Sequence, residues 1–262
     1  MRKGDYLYIR YIFIAGILIM LQAALLLIAI DIDRWTGHGM PGYADYISRW
    51  FRGPSIRTGD FRPDIPYYWL SIQICYILGC SDEISRDLND GCIMKLIRIP
   101  DRKVWWKRKI RQLLCYTVSF FLCLYMMIII TVAITGGMNS DVHIWDAGYS
   151  DTRLLNKTII CLIFIQASLG ICAGMFQMLM EMLTRQTVGI CINISIVLMS
   201  AFPTVADKSP YRYTMIDRLY DLAISSNYSI YLVSVLIIAV FSAIAMILYI
   251  IGGRRAKKVE FL

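Results

Sequence analysis

The chain has 262 residues, 58% of them hydrophobic, with a mean hydropathy of +0.56 and a formal net charge of +8. That apolar share exceeds the usual range of a water-soluble domain, and its clustering into long runs makes this an integral membrane protein. The basic residues collect beside those runs, a pattern that marks membrane topology and anionic lipid and not a nucleic-acid footprint.

In chain order, six uncharged runs predict six transmembrane helices, at about 11–30, 65–80, 113–135, 158–180, 187–203 and 230–251. A helix needs about 20 apolar residues to cross a hydrocarbon core of ~30 Å, so the second and fifth runs depend on their polar ends or on tilt. The expectation is an all-α membrane protein forming a single transmembrane domain over 1–262. The first run follows Arg2 and Lys3 as a signal peptide would, but it is long and lacks a small-x-small cleavage site before Asp31. It reads as a retained span. Six spans place 17 of the 27 Lys and Arg on the side holding both termini, against 10 in the longer loops opposite. By the positive-inside rule, the N and C termini are cytoplasmic.

The outer loop after Asp31 carries Trp50-Phe51 between Arg49 and Arg52. These two aromatics fit either a short amphipathic piece on the headgroups or an ordinary interface anchor. Tyr67-Tyr68-Trp69 opens span two as an aromatic belt. Span four contains Gly170-Ile-Cys-Ala-Gly174, whose small residues allow another helix close approach, followed by a methionine-rich stretch suited to a repacking wall. Glu181 is expected to emerge near Arg185 as a solvated cap. The polar side chains deeper in the spans include Gln73, Gln166, Gln177 and Asn193. They fit interhelical hydrogen bonding and are also the candidates to line a translocation path. No charged residue or His lies near the middle of a span, which counts against a proton pump or ion-coupled transporter. Before span six, the loop from Pro203 to Ser229 has helical spacing (Tyr213, Ile216, Leu219, Tyr220), as short re-entrant outer helices would.

Catalytic chemistry is not indicated. The chain has no P-loop, no H-E-x-x-H and no G-x-S-x-G elbow, and its two histidines, His38 and His143, fall in separate outer loops. The eight cysteines form no C-x-x-C pair, so neither a disulfide framework nor a metal site is indicated. The expectation is a chain with no enzymatic activity and no directly bound cofactor.

The most patterned segment is the cytoplasmic connector between spans two and three. From Glu83 to Ile99, apolar residues at Ile84, Leu88, Cys92 and Leu96 recur every four positions, giving one face of a helix. Gly91 lowers helix propensity by about 1 kcal/mol relative to Ala, and Pro100 ends the helix because the residue before proline disfavours the α region. A basic, tryptophan-bearing run, Arg102 to Arg111, then leads to span three. Two readings stay open on these residues alone: a surface that receives force from a soluble partner, or a juxtamembrane anchor that sets topology and binds anionic lipid.

This order of features resembles the ABC-2 type transmembrane subunits of ABC transporters. Those have six spans, cytoplasmic ends, and a coupling helix between spans two and three with a Gly, a Pro and a basic entry to the next span. Gly91, Pro100, Arg102, Lys107 and Lys109 carry the likeness, and Asp90 stands where an acidic residue precedes the Gly, though the family more often has Glu a few positions earlier. The resemblance implies a coupling segment at 83–100, with Arg86, Asp87, Asp90, Gly91, Lys95, Arg98, Pro100 and Arg102 at the docking surface of a separate ABC ATPase. That partner would hold the ATP and Mg. It further implies a second permease subunit, identical or related, and a bacterial plasma-membrane exporter of an amphiphile such as an antimicrobial peptide, a drug or a lipid-like molecule. The alternatives are a non-transporting sensor, immunity or scaffold subunit that binds a peptide or lipid and, further off, a polytopic membrane enzyme.

Overall fold

The computed structural model describes residues 43–56, 63–81, 84, 102–135, 152–184, 186–206, 208–225 and 229–258, together with Gly16. The expected first span apart from Gly16, the connector from 85 to 100 and both chain ends lie outside these residues.

The described chain is helical apart from one ladder of two residues per strand. In order it contains α1 (Tyr43–Trp50), β1 (Ser55–Ile56) antiparallel to β2 (Pro63–Asp64), α2 (Tyr67–Cys80), α3 (Arg102–Thr135), α4 (Thr152–Leu183), α5 (Gln186–Ser200), α6 (Pro203–Ala206), a 3-10 turn (Pro210–Thr214), α7 (Ile216–Ser225) and α8 (Ile230–Lys258). Three of these helices, α3, α4 and α8, are long and apolar enough to cross a membrane. With 34, 32 and 29 residues, they run roughly 51, 48 and 44 Å at 1.5 Å per residue. The shorter α2 and α5, of 14 and 15 residues, reach about 21 and 22 Å, less than a core of ~30 Å. Tilt, expected from the sequence to help these two runs span, would reduce that reach further, so only their polar ends can extend it.

Two boundaries differ from the sequence reading. The basic run at 102–111 is the first three turns of α3 itself and not a surface segment ahead of it. Lys, Arg and Trp there interrupt no hydrogen bond, and only the proline at 100 opposes helix. At the other boundary, α5 stops at Ser200 because the chain tightens: Ala201 N–H donates to Leu198 O at 3.1 Å and Phe202 N–H to Met199 O at 3.2 Å. Pro203 then opens α6, a position where its missing N–H costs nothing.

Helix α4 is the axis of the bundle and packs against α3, α5, α7 and α8. Its Gly170 and Gly174 make this possible. A Cβ at Gly174 would stand 2.5 Å from Leu113 Cδ1, and one at Gly170 would stand 3.0 Å from the Phe121 ring. The small-residue seam is therefore used within the chain, between α4 and α3, with Tyr76 of α2 wedged beside it. The Tyr76 hydroxyl lies 2.8 Å from both Thr117 Oγ1 and the Gly170 carbonyl.

The segments 43–56 and 203–225 close one end of the bundle. Ile216 N–H donates to Phe51 O at 2.8 Å and Gly53 N–H to Asp217 Oδ2 at 3.2 Å, tying the two segments together. Trp50 and Phe51 are fully buried rather than spread on a membrane surface. Their rings meet Tyr68 and Tyr125, at 5.3 and 5.8 Å between centroids. Those partners are remote in sequence, which is why local spacing pointed to an interfacial role.

Candidate functional site

Down one face of α4 run Gln166, Gly170, Ala173, Gln177 and Glu181, at steps of four, three, four and four residues. Helical geometry stacks such positions in a single column, and each of them touches a polar group of another element.

At the capped end, Tyr125 of α3 donates to Gln166 Oε1 at 2.7 Å, and Gln166 Nε2 donates to the Thr214 carbonyl at 3.3 Å. The Thr214 hydroxyl accepts from Trp69 Nε1 at 3.0 Å and lies 2.7 Å from the Tyr211 carbonyl. Ser209 shapes this 3-10 turn by accepting from Tyr211 N–H, the usual service of a Ser at a helix start. The cap thus reaches inward as far as the middle of α4.

Toward the opposite end, Asn193 of α5 donates to the Ala173 carbonyl and to Gln177 Oε1, both at 3.2 Å. Gln177 Nε2 lies 3.3 Å from the Ile77 carbonyl of α2 and 3.4 Å from Glu181 Oε1. Glu181 is 3% exposed, not a solvated cap. Its second carboxylate oxygen accepts from the backbone N–H of Ile84 at 3.4 Å, and Ile84 is itself fully buried. Ile84 therefore lies inside the bundle, in contact with the same polar column that ends at the cap.

Of the path candidates, Gln166, Gln177 and Asn193 are buried and bonded to one another's neighbourhoods as described, so their hydrogen bonds hold helices together. Gln73 differs. It is 4% exposed and its Nε2 finds no partner, a state that costs about 1–3 kcal/mol. Among the docking candidates, Arg102 is the first residue of α3 and half-exposed. Arg86, Asp87, Asp90, Gly91, Lys95, Arg98 and Pro100 lie outside the described residues. Sequence reasoning passed over Tyr76, Tyr125 and Thr214, and took Glu181 for a solvated cap although it is buried. The column spacing from Gln166 to Glu181 was the available signal that Glu181 shares the face of the two glutamines. The others depend on contacts between distant segments.

Compared with known proteins, the chain matches no family model, no curated relative and no solved structure.

Proposed function

We propose that this chain is the membrane subunit of an ATP-driven exporter of the ABC-2 type, which couples hydrolysis on a separate ATPase to movement of an amphiphilic substrate. The residue pattern of the connector is the basis of the resemblance, and one structural observation supports it: the contact of buried Ile84 with Glu181. A mere lipid anchor has no need to begin inside the bundle against a buried carboxylate. A lever does.

In this account six apolar segments cross the plasma membrane, α2 and α5 completing their passage with the chain that flanks them, with both ends cytoplasmic and the short helices of the cap facing outward. Two such subunits pair, and an ATPase docks on each connector through Arg86, Asp87, Asp90, Lys95, Arg98 and Arg102. Closure of the ATPase pair pushes the 83–100 helix. The displacement enters α4 at Glu181, passes along Gln177 and Asn193, and reaches Gln166 beneath the cap. Gln73, unpaired at rest, is the polar group placed to meet water or substrate when the helices part.

The runner-up is a non-transporting sensor or immunity subunit. It gains from the fact that Gln166, Gln177 and Asn193 spend their hydrogen bonds inside the chain. Reconstitution with the ATPase separates the two. Asp90→Arg is expected to abolish ATPase binding. Glu181→Ala, checked for an unchanged thermal midpoint, is expected to keep ATPase binding and lose substrate-stimulated turnover. Full stimulation in both variants contradicts the lever, and a chain that never alters ATP turnover is the sensor.

A further inference from the structure

Helix α3 exposes one continuous stripe that changes character along its length. Lys107, Arg111, Cys115, Val118, Leu122 and Met126 follow at steps of four, four, three, four and four, and all are exposed. The first two are cationic and the rest apolar. From Arg111 to Met126 the stripe runs roughly 22 Å, more than the half-thickness of a hydrocarbon core of ~30 Å.

Charge is concentrated at its head. Residues 102–111 include six Lys and Arg and no Asp or Glu. The end of α8 joins them there: Trp106 Nε1 donates to the Tyr249 carbonyl at 3.1 Å, and its indole packs against Gly252, where a Cβ would collide with the ring. Exposed Arg254 and Arg255 follow Gly252 by two and three residues, at the same end of the bundle as the first turns of α3. Cations from two helices thus flank the head of an apolar track.

We propose that this junction binds an anionic phospholipid, its phosphate held by Lys107, Arg111 and the Arg254–Arg255 pair and its acyl chains lying along Val118 and Leu122. Charge complementarity selects an anionic headgroup over a zwitterionic one. The unbroken passage from basic to aliphatic positions selects a lipid over an acidic soluble protein, which would cover only the polar part. The assignment does not depend on the exporter reading.

The test uses the purified full chain in nanodiscs of phosphatidylglycerol and phosphatidylcholine in equal amounts, with the retained lipids read by native mass spectrometry. The wild-type chain is expected to retain phosphatidylglycerol selectively. Lys107→Gln combined with Arg111→Gln is expected to lower that preference on the order of tenfold without moving the thermal midpoint. Arg111→Lys should keep it, and so should Lys208→Gln near the cap. Should the double variant fold poorly, Lys107→Gln alone gives the same direction at smaller size. Equal retention of both lipids by the wild-type chain overturns the proposal. So does a double variant that keeps its lipid preference, including one that instead loses a co-purifying soluble protein.

Discussion

Helices α4 and α8 are near equals in length and both apolar enough to span, yet they live in opposite surroundings. The chain buries 61% of the most apolar stretch of α4 and 11% of that of α8. Hydrophobicity does not separate them, and in a membrane it should not, because lipid tails are as apolar as a leucine. What separates them is the means of close contact. Helix α4 brings Gly170 and Gly174 for approach, with Gln166, Gln177 and Glu181 for bonds to its neighbours. Helix α8 offers Val235, Leu236, Val240, Ile244 and Ile247 to its surroundings, and its buried Ser234 only bonds back to the Ile230 carbonyl of the preceding turn. Its tight approach to α3 is at Gly252 against Trp106, and along α4 it packs extensively, with the Phe241 carbonyl accepting from Cys172 Sγ at 2.9 Å.

The contrast can be broken by substitution. Gly174→Leu drives a large side chain into Leu113, and a loss of about 3 kcal/mol or more is expected. Little folded protein should be recovered after extraction, as size-exclusion profiles would report, whereas Ala239→Leu on the exposed face of α8 should leave recovery unchanged. Next in size is Gln177→Leu, which strips Asn193 and Glu181 of a partner and should cost about 2 kcal/mol in thermal unfolding. Gln73→Leu sharpens the point in the other direction. Its Nε2 has no partner to lose, so stability should stay level or rise while any role in a path is lost. Gly252→Ala tests the close contact of α8 with α3, with about 1–2 kcal/mol expected from the displaced indole. Smallest of all, Val240→Leu should fall within about 0.5 kcal/mol of wild type. A large effect there would mean that α8 is covered by something more demanding than lipid.

Much of the helical layout is legible in the chain because long uncharged runs leave little choice. The spans expected at 113–135, 158–180 and 230–251 coincide with the cores of α3, α4 and α8. Boundaries are less legible. Nothing in Arg102–Arg111 distinguishes a helix that continues into the membrane from one lying on its surface, since both tolerate Lys, Arg and Trp. The G-x-x-x-G of α4 announced a close approach but not the partner, which proved to be α3 of the same chain.

The site divides in the same way. Polar side chains within the spans were visible as a set, and their joining into a column on α4 follows from spacing alone. The same spacing puts Glu181 on the face of that column, but its partner could not be read, because Ile84 reaches it from another segment. Trp50 and Phe51 illustrate the same limit: flanking arginines resemble an interfacial anchor, while Tyr68 and Tyr125 draw the rings inside.

The central claim is that the connector couples this chain to a soluble motor. Gentle affinity purification from native membranes, with ATP turnover and identification of the co-purifying chains, tests it most directly. The account predicts a stoichiometric P-loop ATPase that is lost on Asp90→Arg or Arg98→Glu while the membrane subunit stays folded. A chain that purifies alone, without nucleotide turnover, would contradict it and leave the connector as a lipid-facing anchor.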